Sequence, residues 1–213
     1  MGHIAVATGL SGEVWEAVFC NCEICCGPKR YIARVGDDSF PSSLVEGPVY
    51  LFRDWPNRAV PKVAAGVYTI WRRSELIYAG MAGRGLTSEA ISSHRQAGLK
   101  SRGLYSRLSS HWSGRRSGDQ FCVYVADRLV LPTLTGGKIE EIAAGRLSMD
   151  KLVRTYIHDH LGYRFAEAPD SREAFRWEKL LCSGAWNGQR PLLNEHRRAI
   201  ADRPLPSSST TDQ

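Results

Sequence analysis

The chain has 213 residues, 43% hydrophobic and 23% charged, a balance that excludes wholesale disorder and allows one well-packed domain with a small appendage. Its formal net charge is +6, a modest excess that admits a polyanionic partner. No uninterrupted apolar stretch approaches the ~18 residues of a bilayer-spanning helix, so no membrane-spanning segment is expected.

The first residues lack a basic start, and Glu13 and Glu16 soon interrupt the apolar run, so no secretory signal is read there. Val6 sits where a myristoylation start wants Ser or Thr. Without a signal, the six cysteines predict reduced thiols and a cytoplasmic chain. Residues 1–61 read as an N-terminal extension containing Cys20, Cys22, Cys25 and Cys26. These four thiols admit a structural Zn²⁺. Zinc fingers, however, need two separated ligand pairs, and there is no second Cys-x-x-Cys, so plain or redox-sensitive thiols are the preferred reading.

Pro48–Phe52 predicts a short strand after a loop rich in Asp, Pro and Ser. Gly66–Trp71 is rich in β-branched and aromatic residues, and with Leu76–Gly80 it predicts a β-hairpin turning at Arg72–Glu75. A helix is expected over Ser88–Leu99, and a stronger one over Leu104–Trp112, where Leu104, Tyr105, Leu108 and Trp112 share a face. Phe121–Val125 reads as a third strand. Ser148 is placed to cap a helix over Met149–Leu161, ended by Gly162. Tyr163–Ala166 reads as a strand, and Asp170 with Glu173 as the capping box of a helix reaching about Cys182. The tail, 201–213, is polar and expected to be disordered. The pattern as a whole is α+β.

Gly66-Val67-Tyr68 followed by Ile77-Tyr78-Ala79-Gly80 resembles the paired signature of the GIY-YIG nuclease superfamily. Arg107 and His111 are similar in placement to the arginine and downstream histidine of its restriction enzymes. Glu178 resembles the family's metal-binding glutamate, and Pro191-Leu192-Leu193-Asn194 its closing asparagine motif. The resemblance covers roughly residues 62–196. Val67 and Ala79 stand where the family has isoleucine. The resemblance implies a small mixed or antiparallel sheet flanked by helices over 62–200, and a metal-dependent endonuclease acting on DNA. Restriction-type cleavage is the first choice, with a repair or mobile-element nuclease next. It further implies that Tyr68 acts as general base on a water or relays its proton to His111, and that Tyr78 orients the water or the phosphate. Arg107 would stabilise charge on phosphorus, and Glu178 would hold Mg²⁺ or Mn²⁺. Asn194 would brace the site.

The residues themselves lend support. Arg107 and His111 are four apart, so they share a helical face, at the rim of the apolar stripe. A phenol's ordinary pKa is about 10, so a basic Tyr68 needs a neighbour that lowers it. Glu178 lies among apolar neighbours, where a carboxylate is costly unless paired or bound to a cation. A single hard oxygen ligand suits Mg²⁺ or Mn²⁺, but pairing with Arg107 or Arg176 without metal is an alternative. Ala90–Gly118 contains no acid, and its Lys100, Arg102, Arg115 and Arg116 are candidate contacts to a phosphate backbone. Asn194 would alternatively cap a helix beginning near Glu195. The rival to an enzyme is a non-catalytic nucleic-acid-binding module supported by zinc. Cutting both strands calls for a homodimer or sequential nicking.

Overall fold

A computed structural model describes residues 5–8, 14–19, 30–34, 40–44, 46–98, 100–184 and 188–194, the first three stretches as backbone strands only. Those strands, β1 (Ala5–Thr8), β2 (Val14–Phe19) and β3 (Arg30–Arg34), form an antiparallel sheet in the order β1-β2-β3. The Cys20–Cys26 cluster and the tail 201–213 lie outside the described residues.

The main sheet joins β4 (Tyr50–Leu51), β5 (Val63–Arg72), β6 (Glu75–Ala82) and β8 (Gly162–Ala168) in the antiparallel order β4-β8-β5-β6. A two-residue strand, β7 (Arg102–Gly103), pairs parallel with the start of β5. The described helices are α1 (Ser88–Gln96), α2 (Leu104–Ser113), α3 (Gln120–Val125), α4 (Gly136–Ala143), α5 (Met149–His160) and α6 (Ser171–Ser183). The architecture is α+β, and no helix among the described residues is long and apolar enough to cross a membrane.

β5 is the middle of this sheet and is buried along nearly its whole length, which explains its β-branched and aromatic composition. Tyr68 and Ile70 face a core built with Leu104 and Leu108 of α2, Phe121 and Val125 of α3, and Val153 and Ile157 of α5. Val67 and Ala79 lie in a second core under α6, against Ala174, Trp177 and Leu181. The small Ala79 thus sits where the helix and its tryptophan pack on the sheet. Residues 40–60 are part of the same body, because Phe40 and Leu44 join the second core and Phe52, Trp55 and Val60 the first.

Three expectations need correction. Phe121–Val125 is helix α3, not a strand, and it runs on as π-helical turns over Ala126–Val130. Phe121, Cys122, Val125, Ala126, Leu129 and Val130 are all buried, a spacing with helical period that five residues are too few to reveal. The strand expected over Pro48–Phe52 shrinks to Tyr50–Leu51, because Phe52–Asp54 turns into a 3-10 helix that seats Phe52 in the core. Ser148 occupies the N-cap position of α5 but makes no side-chain cap bond, and Gly162 opens β8 instead of ending the helix. Asp170 does cap α6, accepting from the Arg172 and Glu173 N–H groups, while the Glu173 carboxylate pairs with Arg176.

Candidate active site

Strand register brings the two phenols together. Tyr68 on β5 lies opposite Gly80 on β6, and Ile70 lies opposite Tyr78, so both tyrosines project from one face with ring centroids 6.3 Å apart. Gly80 is required by this arrangement. A Cβ there would stand 2.5 Å from the Tyr68 hydroxyl.

Tyr68 is buried, and its hydroxyl lies 2.8 Å from Nε2 of His111 on α2. Nδ1 of His111 lies 2.6 Å from Oδ2 of Asp119, and both of these side chains are buried as well. Phe121 packs on the imidazole, with centroids 4.6 Å apart, and Tyr78 packs on Phe121. Asp119 has a second task. Its Oδ1 accepts the Phe121 N–H and so caps α3. Burial works against its charge, but the His111 bond, Ser110 and the nearby Arg107 hold its carboxyl below the ordinary value. An ionised carboxylate can only accept, so the Nδ1 proton belongs to His111. In the neutral imidazole, Nε2 is then left to accept the Tyr68 O–H. The sequence places His111 at the rim of the core. It is inside, and only Arg107, one turn earlier, is exposed.

Burial raises the Tyr68 hydroxyl well above its ordinary pKa. Tyr78, Glu178 and Asp119 add to the rise and Arg107 opposes it. This reverses the sequence-based requirement for a lowered value, because desolvation outweighs the guanidinium. Tyr68 therefore stays protonated near neutral pH and serves as a donor to His111. The same shift has a consequence for stability. Above about pH 10 an unfolded tyrosine ionises. Folded Tyr68 keeps its proton, so the unfolded state binds fewer protons there and stability falls as pH rises. Tyr68→Phe should flatten that decline when urea midpoints are followed from about pH 9 to 11. An unchanged slope would show that Tyr68 is not the group responsible.

Glu178 is half-buried on α6, and its Oε1 accepts the Met81 N–H at 3.1 Å. Asn194 accepts the Ala79 N–H through Oδ1 at 3.0 Å and donates to the Ala79 carbonyl through Nδ2 at 2.8 Å. Leu192 and Leu193 donate to the Leu76 and Ile77 carbonyls. The segment thus runs along the β6 edge, and two side chains satisfy backbone groups that a further strand would otherwise pair. Asn194 braces the hairpin through its two bonds to Ala79.

A groove of about 330 Å³ opens beside this cluster, lined by Arg84, Arg102 and Arg107 together with Gly83, Gly103 and Ser110. Of the other predicted basic contacts, Lys100 and Arg115 are exposed outside its lining, and Arg116 is tied to Asp150 at 2.7 Å. Arg176 pairs with Glu173, its neighbour one turn earlier on α6. Among the described residues no group of three or more His, Cys, Asp and Glu side chains is placed to hold a metal. Among the described residues, the carboxylates of Glu178 and Asp119 both act on Tyr68. Asp119 is bound to His111 and the cap of α3, and the carboxylate of Glu178 fits a hard cation that keeps most of its water, as Mg²⁺ does.

Sequence reasoning missed Asp119 and Arg84. The signal for Asp119 was available: read as a helix, the Phe121 run needs an N-cap, and Asp119 stands in that position. Arg84, in a glycine-flanked turn, carries no such signal. Comparison with protein-family models, with characterised proteins and with solved structures finds no match.

Proposed function

We propose that this chain is a metal-dependent endonuclease of GIY-YIG type that hydrolyses phosphodiester bonds in DNA. The observation that supports it best is the buried relay Tyr68–His111–Asp119, with the charges of Arg107 and Glu178 acting on the same phenol. A water at the Tyr68 hydroxyl attacks phosphorus and passes its proton to Tyr68, whose own proton moves to His111 Nε2. Asp119 stabilises the resulting imidazolium. The bond from phosphorus to the 3′ oxygen breaks, leaving a 5′ phosphate, and solvent protonates the departing oxygen. Arg107 offsets charge on the pentacovalent centre through its planar fork of donors. Tyr78 orients the water or a phosphate oxygen. Glu178 would hold the Mg²⁺ or Mn²⁺, which when bound supplies Lewis-acid stabilisation of phosphate charge.

The test is nicking of supercoiled plasmid by the purified chain. Activity should need Mg²⁺ or Mn²⁺ and stop with EDTA. Glu178→Ala, purified and assayed alongside, should not cut. Equal cutting by both preparations would assign the activity to a contaminant and end the proposal.

A further inference from the structure

The arginines of this region fall into two groups. Arg95 is tied to the Val63 carbonyl at 2.8 Å and to Glu167 at 2.6 Å, Arg116 to Asp150, and Arg154 to the Ser113 carbonyl. They fasten elements together. By contrast, among the described residues the guanidinium groups of Arg84, Arg102 and Arg107 make no hydrogen bond or ion pair, and all three line one groove. No acidic side chain among the described residues lines it. Three positive charges directed into one concavity repel one another, and without a structural partner the arrangement suits a polyanion.

The glycines make this convergence possible. Gly83 and Gly103 both have φ near +80°, and a Cβ at Gly103 would stand 1.8 Å from the Ala64 carbonyl oxygen. The two loops therefore pack down onto β5, bringing Arg84 from the turn after β6 beside Arg102 from β7. At about 330 Å³ the groove has roughly ten times the ~30 Å³ share of one liquid water, room for a phosphate with its sugar. Arg107 belongs to both places, because it lines the groove and its charge acts on Tyr68.

We propose that the groove holds the backbone phosphate next to the scissile one on the same DNA strand, with Arg84 and Arg102 as its ligands and Arg107 shared between the two phosphates. The inference rests on the endonuclease reading for the position of the scissile phosphate, but its test is made on binding alone. Arg84 and Arg102 read charge and spacing, so they set where the strand lies and carry no base specificity.

Fluorescence anisotropy with a short labelled DNA duplex in EDTA measures binding without cleavage. Arg84→Ala and Arg102→Ala should each weaken binding roughly tenfold, the scale of a lost charged hydrogen-bonding contact. Each should also lower the slope of log affinity against log salt by about one. Arg84→Lys should restore part of the affinity. Lys138→Ala, an exposed cation on α4, should leave both quantities unchanged. Wild-type affinity and slope in both arginine variants would overturn the subsite. So would an equal loss in the Lys138 variant, which would reduce the effect to net charge. A wild-type chain that shows the predicted binding pattern but cuts nothing with Mg²⁺ would retain the groove as a phosphate site and remove the hydrolytic reading.

Discussion

Asp119→Asn should slow plasmid nicking by about 10² to 10⁴-fold while leaving duplex binding in EDTA unchanged. The substitution keeps the shape and the helix cap. Because the Phe121 N–H needs an acceptor, the amide oxygen must take the Oδ1 position, 3.1 Å from that nitrogen. The amide nitrogen is then left facing His111 Nδ1, where Oδ2 now lies at 2.6 Å. An N–H directed at Nδ1 forces the imidazole proton onto Nε2, and Nε2 can then no longer accept from Tyr68. The relay is broken by a change of tautomer alone. A purely structural role for Asp119 predicts something different: lower stability, with the pH dependence of cleavage unaltered. If the D119N chain nicks at the wild-type rate, proton transfer does not pass through His111.

The second large effect is on stability. Gly66→Ala should cost about 3 kcal/mol, the upper range for overpacking, and shift the urea midpoint accordingly. A Cβ at Gly66 would stand 2.2 Å from the Ala166 carbonyl oxygen on β8 and 2.7 Å from Leu104 Cδ1 on α2. The first of these is backbone in a paired strand, so it cannot swing aside without breaking the β5–β8 ladder. Gly137→Ala, at a position in α4 with nothing within 4 Å, is the matched control and should not destabilise. A Gly66→Ala midpoint equal to that control would mean that the sheet yields more readily than this packing implies.

Much of the site is legible in the amino-acid sequence. The tyrosines can be read because a hairpin is a local object: two β-rich runs and a short turn fix which residues stand opposite each other. The Leu104–Trp112 stripe marks a helix with Arg107 and His111 one turn apart, and Asp170 marks the start of α6. The Phe121 run misleads because five apolar residues fit a buried strand and a buried helix equally, and the residues that separate the two lie further on, at Leu129 and Val130.

What the sequence alone determined was the hairpin with its two tyrosines and the helices that carry Arg107, His111 and Glu178, since these follow from short-range periodicity, caps and turns. Tertiary structure decided which of those side chains meet. It places the start of α3 against the end of α2, making one carboxylate both a helix cap and the partner of His111. It places Tyr68 in the core, so that burial raises a hydroxyl which the sequence alone suggested must be lowered. It folds a glycine turn over β5 so that Arg84 reaches Arg102 and Arg107. Contacts of this kind join residues far apart in the chain, and desolvation depends on everything packed around a group, so neither can be read from a window of neighbouring letters.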